Sequence, residues 1–206
     1  MPGRKRWRCR LAMDSGQWTV ENIMQVRRVV IGENSQGKSV FVESGAAPLA
    51  HEFKHLPGQG LARIWMTNPG QKIGQNAGLP DGEPMTATGP MLPAAGGTSF
   101  VIAKYAPDSV FLAPNFNGPA AGGEFYIYAP DLAATMEPDA PGMHRTDSID
   151  YGVVLDGEIW LEVDDGREVQ LKAGDTIVQL GGRHAWRNKS DRTTTVAFVL
   201  CGASRT

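Results

Sequence analysis

The stretch Gly142-Met143-His144-Arg145-Thr146-Asp147-Ser148-Ile149-Asp150-Tyr151, answered by Gly174-Asp175 and then His184-Ala185-Trp186-Arg187-Asn188, decides the reading of this chain. Two histidines and a carboxylate fall at the edges of short strand-like runs. Imidazole nitrogen with carboxylate oxygen suits Zn²⁺, Fe²⁺, Mn²⁺ or Ni²⁺, and a two-histidine, one-carboxylate set leaves coordination positions open for substrate or oxygen. A closed structural zinc site would take four protein ligands, usually with cysteines. The pattern therefore points to catalysis.

Around this stretch the sequence reads as strands. Tyr151 to Leu155, Glu158 to Val163, Glu168 to Leu171, Thr176 to Gln179, His184 to Arg187 and Thr193 to Leu200 follow one another closely, with Asp156-Gly157, Asp165-Gly166 and Ala173-Gly174-Asp175 as turns. In Glu158 to Val163, the residues Ile159, Leu161 and Val163 share one face and Glu158, Trp160 and Glu162 the other, the period-two alternation of a strand with one buried face. Upstream, Val26 to Ile31, Ser39 to Val42, Leu61 to Met66, Ser99 to Tyr105 and Val110 to Leu112 are apolar runs bounded by Gly, Pro or Asn. Asp131 to Met136 reads as one or two helical turns stopped by Pro138. The expected fold is all-β, a Greek-key or jelly-roll barrel that leaves few open edges.

The segment from Gly142 to Asn188 resembles the two signature motifs of the cupin superfamily, G-x5-H-x-H-x(3,4)-E-x6-G and G-x5-P-x-G-x2-H-x3-N. His144 falls on the first histidine, Asp150 on the glutamate and Gly157 on the closing glycine. Gly174 opens the second motif, with Gly181, His184 and Asn188 on its inner glycine, histidine and asparagine. Thr146 occupies the second histidine position, Asp150 is one methylene shorter than glutamate, and Gln179 stands for the proline with the spacing one residue short.

The resemblance implies a double-stranded β-helix barrel, with a core about 98–200 inside a single domain over 25–206. It also implies a homodimer and a metal site of His144, Asp150 and His184. Thr146 would vacate a coordination position or offer a weak hydroxyl contact. Three functions follow as alternatives: a metal-dependent lyase, isomerase or decarboxylase acting on a small molecule, a non-haem iron dioxygenase, or a non-catalytic binding barrel that has lost its metal.

The 206 residues suffice for one domain with a full core. Apolar residues at 41% and charged residues at 20% are ordinary globular values, which argues against disorder. A formal charge of −2 gives no electrostatic reason to bind nucleic acid. Cys9 and Cys201 cannot build a disulfide framework or zinc knuckle. With no apolar run long enough to cross a bilayer and no apolar signal core near the start, no membrane partner and a cytoplasmic location are expected. Arg4, Lys5, Arg6, Arg8 and Arg10 make 1–24 a basic segment, read as a disordered tail.

Gly32-Glu33-Asn34-Ser35-Gln36-Gly37-Lys38-Ser39 satisfies the phosphate-loop expression, but a strand and a turn follow where a helix is required, so it reads as a hairpin turn. Asn188-Lys189-Ser190 fits a glycosylation sequon and is given little weight. The Gly- and Pro-rich Thr67 to Gly97 reads as a long functional or mobile loop. Pro114 to Pro141 reads as a lid or pocket wall, or as a dimer contact or surface packing. Its Phe125, with Trp160, Trp186 and Thr146, is expected to contact substrate. Tyr126, Tyr128, His51, His55 and Lys104 have the chemistry of a general acid or base, and Arg145 with Asp147 reads as a surface pair. The substrate is expected to be a small organic molecule, aromatic in character, because no basic cluster accompanies the motifs.

Overall fold

The computed structural model describes residues 24–73 and 89–206, together with the backbone of a short pair, β1 (Met13–Asp14) and β2 (Gln17–Trp18). The side chains of the basic segment, Cys9 included, and the middle of the Thr67 to Gly97 loop lie outside the described residues. Eleven further strands follow: β3 (Arg27–Glu33), β4 (Ser39–Ala46), β5 (Leu49–Glu52), β6 (Gly60–Thr67), β7 (Thr98–Tyr105), β8 (Ser148–Asp156), β9 (Glu158–Glu162), β10 (Glu168–Lys172), β11 (Thr176–Gln179), β12 (Ala185–Arg187) and β13 (Thr194–Gly202). Between β7 and β8 lie a 3₁₀ turn over Asp108–Leu112 and two helices, α1 (Gly118–Tyr128) and α2 (Pro130–Ala133).

All pairings are antiparallel. A six-stranded sheet runs in the order β11-β8-β13-β7-β6-β5, and a three-stranded sheet in the order β10-β9-β12. Between them, Val154, Val196, Phe198 and Leu200 of the large sheet pack in one cluster with Ile159 of the small one. This is the jelly-roll architecture expected from the strand spacing. A second cluster of Met24, Ala47, Ala62 and Ile64 forms where the start of the described chain packs on β6. Met24, the last residue assigned to the tail, is thus part of the packed structure.

The phosphate-loop expression is a hairpin. Asn34 Oδ1 accepts from the backbone N–H groups of Gln36 and Lys38, both at 3.0 Å, and Gly37 takes φ 72° between paired strands β3 and β4. No helix follows to aim at a phosphate. Val110 to Leu112, read as a strand, is instead the 3₁₀ turn. Asp108 there is committed to Asn188, giving its backbone N–H to the Asn188 carbonyl at 2.7 Å and accepting the Asn188 N–H on Oδ1 at 3.0 Å. Those bonds fold the segment against the second motif and leave it no strand partner.

Asn188 itself is a buried hub. Its Nδ2 donates to the carbonyls of Tyr105 and Arg192, both at 2.8 Å, and its Oδ1 accepts from the Ser190 hydroxyl at 2.6 Å. The sequon asparagine is therefore structural in this fold.

The segment 114–141 contains the helix α1. Asn117 caps it by accepting the Ala120 N–H at 3.1 Å, and a proline occupies its first turn, two local signals that offset the cost of Gly122 and Gly123.

Gly157, in the turn between β8 and β9, shows how tightly the motif's turn is built. It has φ +84°, and a Cβ there would sit 2.5 Å from Thr194 Oγ1 and 3.0 Å from the Thr194 backbone. Thr194 cannot yield, because its hydroxyl donates to the Glu158 carbonyl at 2.6 Å. Gly157→Ala is expected to cost roughly 2 to 4 kcal/mol of stability, combining the backbone penalty with the overlap. Urea denaturation measures it, and a loss under about 0.5 kcal/mol would contradict this account of the turn.

Candidate metal centre and cavity

Alternation along the first motif turns His144, Thr146, Ser148 and Asp150 inward and leaves Arg145 and Asp147 exposed. Asp147 pairs with Arg205 and not with Arg145, because Arg205 folds across this strand end and also donates to the Thr146 and Gly181 carbonyls at 2.8 and 3.0 Å. Opposite, His184 immediately precedes β12. His144 and His184 form an isolated antiparallel bridge, exchanging backbone N–H···O bonds of 3.0 and 3.1 Å. That bridge joins the two motifs and sets the ring centroids 4.3 Å apart.

Each ring is tied back by its own chain. His144 Nδ1 lies 3.0 Å from the Gly142 carbonyl and His184 Nδ1 lies 2.9 Å from the Gly182 carbonyl. A carbonyl oxygen only accepts, so Nδ1 carries the proton in each neutral ring and Nε2 keeps its lone pair. Burial lowers the pKa of both rings. Burial takes the His144 ring down to about 4, with the neighbouring His184 adding to the effect. Two neutral imidazoles with free Nε2 atoms are the state in which histidine ligates a metal.

Asp150 is only 5% exposed. Its Oδ2 receives the Thr146 hydroxyl at a long 3.5 Å, and Oδ1 is buried without a partner. Burial raises its pKa against the downward pull of the Ser148 and Thr146 hydroxyls and His144. The Ser148 hydroxyl is near enough to temper that shift, yet Ser148 Oγ and Asp150 Oδ1 complete no hydrogen bond of good geometry.

These groups share one wall of a cavity of about 470 Å³. His144, Thr146, Asp150, Gln179, His184 and Asn188 form its polar side, and Phe53, Val101, Phe116, Phe125, Met136, Trp186 and Phe198 contribute to the apolar remainder. The insertion 114–141 supplies the pocket wall through Phe116, Ala121, Phe125 and Leu132. No lysine or arginine is among the described lining residues. Tyr105 also lines the cavity, with its pKa pushed upward by burial and by the Asp150 charge, so its hydroxyl stays protonated.

Phe125, Trp186 and Thr146 line the cavity as the sequence suggested, but Trp160 does not. It lies on the face of β9 opposite the buried Ile159. The suggested acid or base residues also lie elsewhere. Tyr126 is exposed on α1, and His55 is exposed, offering only its backbone N–H to Glu124. His51 bonds Glu124 at 2.9 Å and stacks on Tyr128 at 3.5 Å in a separate cleft of about 170 Å³. Lys104 pairs with Glu52 at 2.8 Å. Glu124 is a latch between α1 and the turn after β5. Burial raises its pKa, but the His55 and Lys54 backbone N–H groups and His51 more than reverse that.

The sequence reading missed Tyr105 and Gln179. Alternation could have found both, since Val101, Ala103 and Tyr105 share one face of β7, and Ile177 and Gln179 one face of β11.

Residues 133–201 match the family described as the cupin domain. This stretch is a cupin domain. Two curated relatives overlap the chain over short stretches. Phomopsin biosynthesis cluster protein C′ of Diaporthe leptostromiformis is 65% identical over 48 residues, 23% of this chain and 25% of the relative. The cupin-domain-containing oxidoreductase virC of Hypocrea virens is 44% identical over 46 residues, 22% of this chain and 24% of the relative. The match thus spans about a quarter of these relatives' own length. Among solved structures, a putative ethanolamine utilization protein Q from Salmonella typhimurium superposes with a TM-score of 0.39 at 10% identity, covering 87% of this chain and 98% of that one.

The residues of this cupin domain fit a metal ion in their chemistry. The two imidazoles sit at bridged positions with their ring centroids 4.3 Å apart, and Asp150 Oδ1 is an orphaned buried acceptor with no lysine or arginine among the described lining residues to neutralise it. Among the described residues, no three His, Cys, Asp or Glu side chains are grouped closely enough to surround an ion. The structure therefore brings His144 and His184 together and leaves Asp150 on the same wall outside that pair. No described helix is long and apolar enough to cross a membrane.

The imidazoles give a pH signature in the apo protein. His144 titrates near 6.5 when unfolded and about 4 when folded, so between these values the unfolded chain binds more protons. Its contribution is fully present above pH 6.5 and is lost as pH falls through the window, by on the order of 3 kcal/mol. Asp150, with its raised pKa, acts in the opposite direction, so the difference between wild type and His144→Gln isolates the histidine. Urea titrations from pH 7 to 4 are expected to show a shallower loss in His144→Gln. Parallel curves would refute a buried neutral imidazole.

Proposed function

We propose that this cupin domain is a metal-dependent enzyme for a small, largely apolar organic substrate, of the lyase, isomerase or decarboxylase type. The observation that carries the reading is the bridged imidazole pair, neutral and tied back through Nδ1, at the polar end of an apolar cavity. His144 and His184 would hold a divalent ion such as Fe²⁺, Zn²⁺, Mn²⁺ or Ni²⁺, with Asp150 Oδ1 as the carboxylate donor. Such an ion supplies Lewis acidity toward a substrate oxygen.

The chain's own residues do the rest. Phe116, Phe125 and Trp186 exclude water and hold an apolar or aromatic body. Tyr105, kept protonated by its burial, offers a hydroxyl donor to a substrate oxygen. Thr146 holds one oxygen of Asp150 and leaves the other free. The lack of basic side chains in the described lining favours an uncharged substrate over a phosphate.

A second reading, oxidation by a non-haem iron at the same residues, is favoured by three relatives named cupin-domain-containing oxidoreductases. Metal analysis of the purified protein is expected to find close to one divalent ion per chain, and little in a His144→Ala/His184→Ala double variant. Equal metal in both would remove the proposed site, and no metal in either would favour a binding barrel without catalysis. For the choice of chemistry, turnover that is unchanged without oxygen would eliminate the oxidative reading.

A further inference from the structure

We propose that residues 109–123 form a gating strap over the cavity, hinged at Asp108 and Glu124, and that a ligand enters and leaves when the strap lifts. The proposal needs the cavity and not a metal, so it stands apart from the reading above. Both hinges are clamps on distant parts of the chain. Asp108 exchanges two hydrogen bonds with the Asn188 backbone, at 2.7 and 3.0 Å. Glu124 accepts the backbone N–H groups of Lys54 and His55, each at 2.9 Å, and lies 2.9 Å from His51 Nε2.

Between the clamps the chain is tied to itself. The Pro107, Val110 and Ala113 carbonyls accept in turn from Val110, Ala113 and Phe116, and Asn117 caps α1 at Ala120. Among the described residues, no hydrogen bond or ion pair runs from 109–123 to any strand. Packing divides at the same residue. Phe125, Tyr128 and Leu132, which follow Glu124, pack on the core cluster, whereas Phe111 and Phe116 lie outside it and meet each other edge-on at 5.4 Å. Yet Phe111, Phe116, Gly118, Ala121 and Gly122 all line the cavity. A segment that covers a ligand cavity with so few tertiary bonds opens locally at low cost, and such openings commonly govern how fast a ligand exchanges.

The hinge at Glu124 is easily bent. Gly122 and Gly123 precede it inside α1, where glycine weakens a helix relative to alanine. Packing does not require either glycine, because a Cβ at both positions meets nothing within 4 Å. Neither has a positive φ. Gly123, unlike Gly122, is not among the described lining residues, so replacing it stiffens the strap without altering the cavity wall.

Two readouts on the full chain test the proposal. In native-state hydrogen exchange, the amides of residues 121–123 are expected to exchange about 100-fold or more faster than those of β8 and β13, and Gly123→Ala is expected to slow them about 5-fold. The second readout is stopped-flow fluorescence of the neutral apolar probe N-phenyl-1-naphthylamine. Gly123→Ala is expected to slow its binding and its release by a similar factor, leaving the dissociation constant within about twofold of wild type. Glu124→Gln leaves one acceptor oxygen where the clamp had two, and is expected to speed both steps. A purely structural role would alter affinity or overall stability without moving the two rates together. Strap amides that exchange no faster than β8 and β13 would overturn the proposal, as would unchanged amide or probe rates in Gly123→Ala, or a wild-type protein that takes up no probe. None of these outcomes bears on the metal analysis.

Discussion

The isolated bridge between His144 and His184 is the contact on which the rest of the site depends. Two backbone hydrogen bonds fix one motif against the other, so the rings need no side-chain contact to be brought together. Each ring is then oriented by a carbonyl two residues earlier in its own chain, and the Gly142 and Gly182 backbones supply those acceptors. Gly142 has a positive φ of 82°, and an added Cβ would sit 3.0 Å from Arg187, so the approach to His144 is fixed by a residue without a side chain. Position, tautomer and neutrality of both imidazoles follow from backbone geometry and burial.

That arrangement carries a thermodynamic cost, and the fold distributes the support around it. Ser148 Oγ and Asp150 Oδ1 are buried without a hydrogen-bond partner, and each unsatisfied group of this kind costs about 1 to 3 kcal/mol in a protein interior. The compensation lies beside the cavity. Asn188 ties the second motif to Tyr105 and to the turn at Arg192, Thr194 locks the turn at Gly157, and Arg183 forks across Glu137 at 2.7 Å. Fully satisfied polar hubs frame an unsatisfied polar patch. A buried patch that the surrounding network leaves unpaired is the expected form of a site that receives its partner from outside.

The sequence made the barrel legible and the site only partly so. Short strands broken by Gly and Asp turns make β8 to β13 legible nearly residue for residue, because their alternation is clean; which strands pair, β8 with β13 and β13 with β7, is non-local and is not written in that alternation. Val110 to Leu112 failed because its apolar pattern carried no record of Asp108 being claimed by Asn188, a contact 80 residues away in sequence. The sequence reading assigns no secondary structure to Gly118–Tyr128, although the Asn117 cap and the proline in the first turn of α1 are local signals for a helix. His144, His184, Thr146, Trp186 and Phe125 reach the cavity wall where motif spacing and alternation place them. His51, Tyr128 and Lys104 were misjudged because side-chain chemistry says nothing about which cavity a residue reaches; here Glu124 and Glu52 hold His51 and Lys104 away from the motifs.

The central claim is that the bridged imidazoles and the orphaned carboxylate are one ion's ligands. Crystals of the metal-loaded protein, measured on both sides of the absorption edge of the bound ion, test it most directly. The account predicts one strong anomalous peak per chain within bonding distance of His144 Nε2 and His184 Nε2, with Asp150 turned to join them. A fully loaded protein whose anomalous peak lies away from these two nitrogens would contradict it.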